Sequence, residues 1–482
     1  MNVRTRFAPS PTGFVHVGSL RTALYAYLYA KKHIGTFILR IEDTDKSRQV
    51  EGSLENLINV LDWAGLHFDE GPGIGGKYGP YIQSERLEIY KKHAHELVNA
   101  GHAYHCFCSP ERLESVRQTQ ISAKLPPAYD KHCRNLPPDE VKQKLATSNS
   151  HVIRMKVPVE GECTFTDLIR GSVTFGYKVI DDQVLLKSDG FPTYHLAVVV
   201  DDHYMNISHV IRGEEWLPST PKHLLLYQYF GWQAPLFAHL PLLLNPDKSK
   251  LSKRQGDVAV EDYRIKGYLK EALINFVALL GWNPGEGTTQ EIFSLQELMQ
   301  EFSLEHVGKS GAVFNIEKLN WLNQQYIHYK KTDDELLALV KPLFAEKCWT
   351  NFSVDYYKKV INLTKDRAVV LPDFVTHGEL FFQRPKTFDE KTKAKCWNQD
   401  TQKLLTTLTQ KFSELTTFDA QALEFALRHY AEGLQIGTGK LMLPLRLALT
   451  GVPQGPSLFH AMEILGKEET CARINHALTV LT

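Results

Sequence analysis

The sequence predicts an α/β half followed by an all-helical half. Three observations predict it. Strand and helix periodicities alternate through the first hundred residues, a segment from Tyr104 to about Lys187 interrupts them, and after about Leu244 the apolar spacing turns helical to the end. At 482 residues the chain is too long for one compact core, so two or more domains are expected. Its 43% hydrophobic content suits a globular protein, and no apolar run is long enough for a membrane span. The N-terminus does not read as a secretory signal. Seven cysteines, odd and sparse, point to a reducing cytoplasm rather than a disulfide framework. The formal net charge is zero, which does not favour indiscriminate nucleic-acid binding.

The elements follow in order. Val3, Thr5 and Phe7 alternate with Arg4 and Arg6, as in a strand. Pro9 and Pro11 break it, and Gly13 permits a tight turn. From Gly18 onward Leu20, Leu24, Tyr27 and Leu28 recur at helical spacing. Phe37, Leu39 and Ile41 form one face of a second strand, with Ile38, Arg40 and Glu42 on the other. Arg40 and Glu42 fall near its C-terminal end, where open α/β sheets bind ligands. Helices are predicted over about 50–61 and 85–100, with a Gly/Pro-rich loop over 71–80. The segment 104–187 reads as an inserted domain with strands near 152–157 and 172–175. The apolar run 196–200 before Asp201-Asp202 predicts a buried parallel strand returning to the sheet, and 207–211 predicts another that delivers Arg212. Leu269, Leu273, Phe276, Val277 and Leu280 form a helical stripe closed by Gly281. Helical periodicity dominates from about 335, and no fixed-period repeat is present.

Two distant segments carry phosphate chemistry. His16 and Gly18 sit at a strand–loop–helix junction, where backbone amides and the helix dipole favour anions. Gly18 permits close backbone approach, and His16 offers a donor to a phosphate. A structural turn with Ser19 as the helix cap is the alternative. Lys248, Lys250, Lys253 and Arg254 place cations on a short polar loop, suited to charge that grows on a triphosphate during reaction. A solvated basic loop is the alternative there.

Together, His16-Val17-Gly18-Ser19 and Lys250-Leu251-Ser252-Lys253-Arg254 resemble the HIGH and KMSKS motifs of class I aminoacyl-tRNA synthetases. The runs 6–13, 40–45, 79–86, 186–195 and 210–216 are similar to blocks of the glutamyl and glutaminyl branch, in family order. The all-helical second half resembles the bacterial-type glutamyl enzymes rather than glutaminyl enzymes that carry β-barrels at the anticodon end. A shorter paralogue that modifies a tRNA base lacks the helical half.

The resemblance implies a Rossmann-type class I catalytic domain in two halves, 1–103 and 188–244, with an acceptor-stem domain inserted at 104–187. A stem-contact domain with the KMSKS-like loop would span 245–325, and a helical anticodon-binding region 326–482. It implies ATP-dependent attachment of L-glutamate to tRNA(Glu) through glutamyl-adenylate, with Mg2+ accompanying ATP, in a cytoplasmic monomer that requires tRNA before activating glutamate. The catalytic and ATP-binding positions would be His16, Gly18, Lys250, Ser252 and Lys253. Arg6 and Arg212 would bind the substrate carboxylates, Glu42 its ammonium, with Tyr194 and Ser10 assisting. For each of these a strand-end ion pair, such as Glu42 with Arg40, is the structural alternative. Arg367 and Arg446 resemble residues that read anticodon bases, against the alternative of arginines on a solvated helix.

Cys106-Phe107-Cys108 and Cys133 bring three thiols close enough to staple a small insertion around zinc. Some family members carry zinc at this place. Where some relatives have a final histidine, this chain has Asn135, so Tyr129, His132 or His105 would supply the fourth ligand. A zinc-free domain with three buried thiols is the alternative. Asp201-Asp202-His203 looks like a metal site, but adjacent residues seldom point at one ion, and a structural role is favoured. Three rival functions remain. One is a ligase that also charges glutamine tRNA, another a small-molecule nucleotidyltransferase, and the third a silent tRNA-binding paralogue.

Overall fold

The computed structural model describes residues 2–147, 150–251 and 258–481. The chain divides into two compact units, one of residues 1–263 and 273–315, the other of 264–272 and 316–482.

The first unit opens with β1 (Arg4–Phe7), α1 (Val17–Lys32), β2 (Thr36–Leu39), α2 (Ser53–Trp63) and α3 (Leu87–Asn99). It continues through β3 (Ala103–Cys106), α4 (Pro110–Ser122), α5 (Pro138–Thr147), β4 (Val152–Met155), β5 (Glu162–Asp167), β6 (Gly171–Gly176) and β7 (Val184–Leu186). Then come α6 (Tyr194–Tyr204), β8 (His209–Gly213), α7 (Thr220–Phe230) and β9 (Leu236–Leu240). The main sheet has six strands in the order β2-β1-β8-β9-β5-β6, parallel except for the β5–β6 hairpin. Its chain order reverses around β1, with β2 on one side and β8 on the other, which opens a crevice at the strand C-termini. Arg6, Arg40 and Arg212 all fall at that end.

The arginines of β1 do not face water. All four residues are buried, because the strand lies between two neighbours with helices packed against it. Arg4 is taken up by Glu70 at 2.9 Å and Arg6 by Asp202 at 3.2 Å.

Residues 196–200 are a helix, not the predicted strand. They lie in α6, whose residues Leu196–Asp202 are buried without a break between α3, α7 and β7. A five-residue apolar run has no periodicity that separates a buried helix from a buried strand. The segment 104–187 also differs from a single inserted body. Strands β3, β4 and β7 form a separate three-stranded sheet, whereas the β5–β6 hairpin extends the main sheet through β9.

Beyond β9, a short parallel pair joins β10 (Leu243–Leu244) to β11 (Ala312–Val313), an interruption of the otherwise helical pattern after Leu244. Helices α8 (Val260–Ile265), α9 (Lys270–Ala278) and α10 (Leu295–Glu301) lie between them in sequence. Gly281 takes φ 99° just past α9, as the cap reading requires.

The second unit is helical among its described residues: α11 (Ile316–Gln325), α12 (Asp333–Glu346), α13 (Val354–Thr364), α14 (Asp373–Phe382), α15 (Glu390–Cys396), α16 (Gln399–Glu414), α17 (Ala420–Gly433), α18 (Gly439–Thr450) and α19 (Leu458–Val480). Ser353, Asp389, Asn398 and Asp419 cap their helices through side-chain acceptors. Leu405, Leu408, Phe412, Leu423, Leu427, Leu441 and Leu445 make one of its cores.

Beneath the crevice lies a buried charge web. Arg40, fully enclosed, meets Asp202 at 2.7 Å, Glu42 at 3.1 Å and Asp201 at 3.7 Å. Asp201 accepts from Arg86 at 2.7 Å, Gln83 at 2.8 Å and Tyr90 at 2.8 Å. The acidic pair thus has the structural role favoured above, while His203 turns away and stacks on Trp232 at 3.8 Å. Replacing Asp201 with alanine strands Arg86 and Arg40 in the interior. We expect Asp201→Ala to cost about 3–5 kcal/mol of stability, read as a lowered urea midpoint for the first unit's tryptophan fluorescence.

Candidate active site

The crevice at the strand ends is a cleft of about 750 Å3. Arg6, Ser10, His16, Gly18, Glu42, Tyr194, Arg212 and Lys250 all line it, although they lie as far apart in sequence as positions 6 and 250. Ser252 and Lys253 fall outside the described residues.

His16 is the N-cap of α1, and its Nδ1 accepts from the Gly18 amide at 2.9 Å. Histidine, not Ser19, therefore caps this helix. With Nδ1 accepting, the neutral ring carries its proton on Nε2. A Cβ on Gly18 would come within 3.2 Å of that same Nδ1, so the bond favours glycine there. The histidine and lysine segments are tied together by backbone. Val17 N donates to Val258 O at 2.9 Å, Val260 N to Val15 O at 2.9 Å, and Leu251 N to Leu243 O at 2.9 Å. Both flanks of the basic loop are therefore anchored beside the start of α1 or the strand next to it.

On the opposite wall stand the charged side chains. Arg6 and Glu42 belong to the charge web, so the ion-pair alternative and cleft exposure hold together at these two residues. Burial pushes the Glu42 carboxyl upward, with Arg40 and Arg6 opposing it. Burial also opposes ionisation of Asp202, but Arg6 and Arg40 outweigh it and hold the carboxyl below its ordinary range.

Arg212 differs. It is buried at the end of β8, and among the described residues no carboxylate pairs with it. Its donors go to His239 Nε2 at 3.0 Å, the Tyr194 hydroxyl at 3.0 Å, His223 Nδ1 at 3.2 Å, Thr220 Oγ1 at 2.9 Å and Trp216 O at 3.4 Å. Burial, then the positive charge of Arg212, keeps His223 well below its ordinary value and therefore neutral. Tyr194 packs on Trp216 with ring centres 4.3 Å apart. A desolvated guanidinium balanced only by neutral acceptors keeps its attraction for an anion.

Sequence reasoning missed Asp167, Thr220, His223 and His239 as partners of this site. Each is a single polar residue in an otherwise unremarkable stretch; strand pairing brings Asp167 and His239 beside Arg212, and the packing of α7 brings Thr220 and His223. Trp216 had a signal, since it ends a quoted block beginning at Val210.

The three cysteines also converge. The sulfurs of Cys106, Cys108 and Cys133 lie within 4.8 Å of one another. The Tyr129 hydroxyl is 3.2 Å from Cys106 and 3.5 Å from Cys108. His132 is exposed, and His105 packs its ring against His151 with centres 4.8 Å apart, so Tyr129 alone of the three candidates touches the thiols. Burial opposes a thiolate at Cys106, but the Tyr129 hydroxyl, the Cys108 amide and Arg154 outweigh it and lower the thiol. Burial pushes Cys108 up to about 11.

In the second unit Arg367 is exposed on a 3-10 turn after α13, and Arg446 is half-buried on α18, donating to Pro456 O at 2.9 Å. Burial and then the charge of Arg367 lower Arg446, so the two guanidiniums feel one another.

Residues 2–321 match the model of the catalytic domain of class I tRNA synthetases (E and Q), and residues 335–478 match an anticodon binding domain. The chain belongs to the class I tRNA synthetases of the E and Q type. A glutamate–tRNA ligase of Chlorobium chlorochromatii is 52% identical over 495 residues, covering 100% of this chain and 98% of that one. One from Chloroherpeton thalassium is 51% identical over 494 residues, covering 99% and 98%. A crystal structure of a glutamate tRNA ligase from Elizabethkingia meningosepticum, in complex with its amino acid, superposes with TM-score 0.95 at 43% identity over the full length of both chains. A glutamate-tRNA synthetase structure from Elizabethkingia anophelis gives TM-score 0.91, also at 43% identity with full coverage. Among the described residues no helix is long and apolar enough to cross a membrane.

Proposed function

We propose that this class I synthetase is a glutamate–tRNA ligase, joining L-glutamate to tRNA(Glu) in two steps. The observation that carries the reading is the pairing of Arg212 with the charge web. In the web, three arginines offset three carboxylates, which leaves Arg212 as an uncompensated buried cation. Glutamate brings two carboxylates and one ammonium, a net charge of the opposite sign.

In this reading Arg6 and Arg212 bind the carboxylates, Glu42 faces the ammonium, and Tyr194 and Ser10 complete the pocket. Binding an ammonium beside Glu42 offsets the burial that disfavours its ionised form. An oxygen of the α-carboxylate attacks the α-phosphorus of ATP, the bond to the bridging oxygen breaks, and pyrophosphate leaves. His16 Nε2, the positive end of the α1 dipole, Lys250, Ser252 and Lys253 receive the phosphate charge. Mg2+ accompanying ATP would neutralise further phosphate charge. The terminal ribose hydroxyl of the tRNA then attacks the glutamyl carbonyl, and AMP departs. Positioning and charge stabilisation suffice, with no protein nucleophile.

Residues 104–187 contact the acceptor end in this reading, 245–325 the stem, and 326–482 the anticodon, where Arg367 and Arg446 present neighbouring guanidiniums to unstacked bases. The enzyme acts as a cytoplasmic monomer. Cys106, Cys108, Cys133 and Tyr129 would hold zinc. Sulfurs around a tetrahedral ion with ~2.3 Å bonds stand ~3.8 Å apart, and Cys108 and Cys133 are 3.6 Å apart.

Glutamate-dependent pyrophosphate exchange, with and without tRNA, tests the reading. Exchange specific to glutamate and dependent on tRNA is expected, and its absence in folded protein rejects the assignment. Lys253→Ala should slow adenylate formation by about 100- to 1000-fold, the usual loss of one charge-stabilising donor. A folded variant with near-normal exchange removes that lysine from the mechanism. Metal analysis of untagged, reduced protein should find close to one zinc per chain, released when the thiols are modified. A much lower content favours three buried thiols without metal.

A further inference from the structure

Arg212 is gripped from behind by a hydrogen-bonded relay that crosses three strands. Arg212 in β8 stands in register with His239 in β9, and β9 pairs in turn with β5, which ends at Asp167. All three residues are buried.

The directions of the bonds follow from chemistry. A guanidinium only donates, so His239 Nε2 accepts from Arg212 Nε at 3.0 Å. The neutral ring must then carry its proton on Nδ1, which donates to Asp167 Oδ2 at 2.6 Å. The other oxygen of Asp167 is held by the amides of Ile169 at 3.0 Å, Arg170 at 2.9 Å and His239 at 3.4 Å. Burial keeps His239 low despite its acidic neighbour, and so neutral.

We propose that Asp167 and His239 are positioning residues that fix Arg212 as a donor for a substrate carboxylate. This rests on the reading of Arg212 given above. An acid placed directly on Arg212 would also orient it, but would cancel its charge and compete with the substrate. An imidazole acceptor orients Nε and leaves the full charge available. Asp167 in turn selects the tautomer that can accept.

Asp167→Asn is the discriminating substitution. Its amide oxygen keeps the backbone bonds, while its NH2 faces His239 Nδ1. That drives the imidazole proton to Nε2, against the Arg212 N–H. In pyrophosphate exchange with tRNA present, Asp167→Asn should raise the glutamate KM about tenfold or more, the scale on which lost supporting bonds act, and leave the ATP KM unchanged. His239→Leu should do the same. His239→Gln, whose amide oxygen replaces the accepting nitrogen, should recover most of that loss. Arg212→Ala is measured alongside. If Arg212→Ala raises the glutamate KM and Asp167→Asn and His239→Leu do not, the relay is wrong and the reading of Arg212 survives. If Arg212→Ala leaves it unchanged, that reading fails and the relay with it. Equal rises for ATP and glutamate, or no recovery by His239→Gln, also overturn the relay. Should Asp167→Asn lose its native circular dichroism, the two His239 variants decide by the same criteria.

Discussion

Enclosing Arg40 completely is the constraint on which the rest of the first unit depends. A guanidinium without water needs its charge and donors answered at once, or the fold loses several kcal/mol. Asp201, Asp202 and Glu42 answer the charge, and Asp201 and Asp202 are tied further to Arg86 and Arg6. These residues come from the ends of β1 and β2, the 3-10 turn before α3, and the interior of α6. The web therefore fixes four chain segments relative to one another at the crevice. Arg6 and Glu42 emerge from it into the cleft with their positions already determined.

Arg212 is organised on the opposite principle. It too is buried, yet its partners are imidazoles, hydroxyls and a backbone carbonyl. A paired cation makes rigid scaffolding, whereas an unpaired one retains attraction for a ligand. Both kinds stand in one cleft, so its floor is stiff while the charge of Arg212 remains unpaired among the described residues. Preorganisation of this kind removes reorganisation from the binding step. The wall formed by α1 works by backbone instead. There His16 closes the helix end, and Val15 and Val17 pair through backbone with Val260 and Val258 on the far flank of the basic loop.

Much of this was legible in the chain. Alternation at Val3–Phe7, the prolines after it and the helical spacing from Leu20 located β1, the crevice loop and α1. Eight of the cleft-lining residues were named from motifs alone. The failures were specific. Residues 196–200 were read as a strand because five apolar residues carry no period, and the helix became visible only through its neighbours α3, α7 and β7. The hairpin of β5 and β6 was assigned to the insertion, since nothing in its sequence says which sheet edge it joins. The partners of Arg4 and Arg6 were not legible, because Glu70 and Asp202 lie 66 and 196 residues away.

By itself the sequence determined most of the local elements and the identity of most chemical groups at the cleft, because turn chemistry, periodicity and short motifs act over a few residues. Only the tertiary structure decided which charges are answered and which is left open. Asp202 reaches Arg6 and Arg40, and Asp167 reaches Arg212 through His239, by strand register and helix packing across the sheet. Those pairings are long-range, and a buried charge takes its meaning from what surrounds it rather than from its neighbours in the chain.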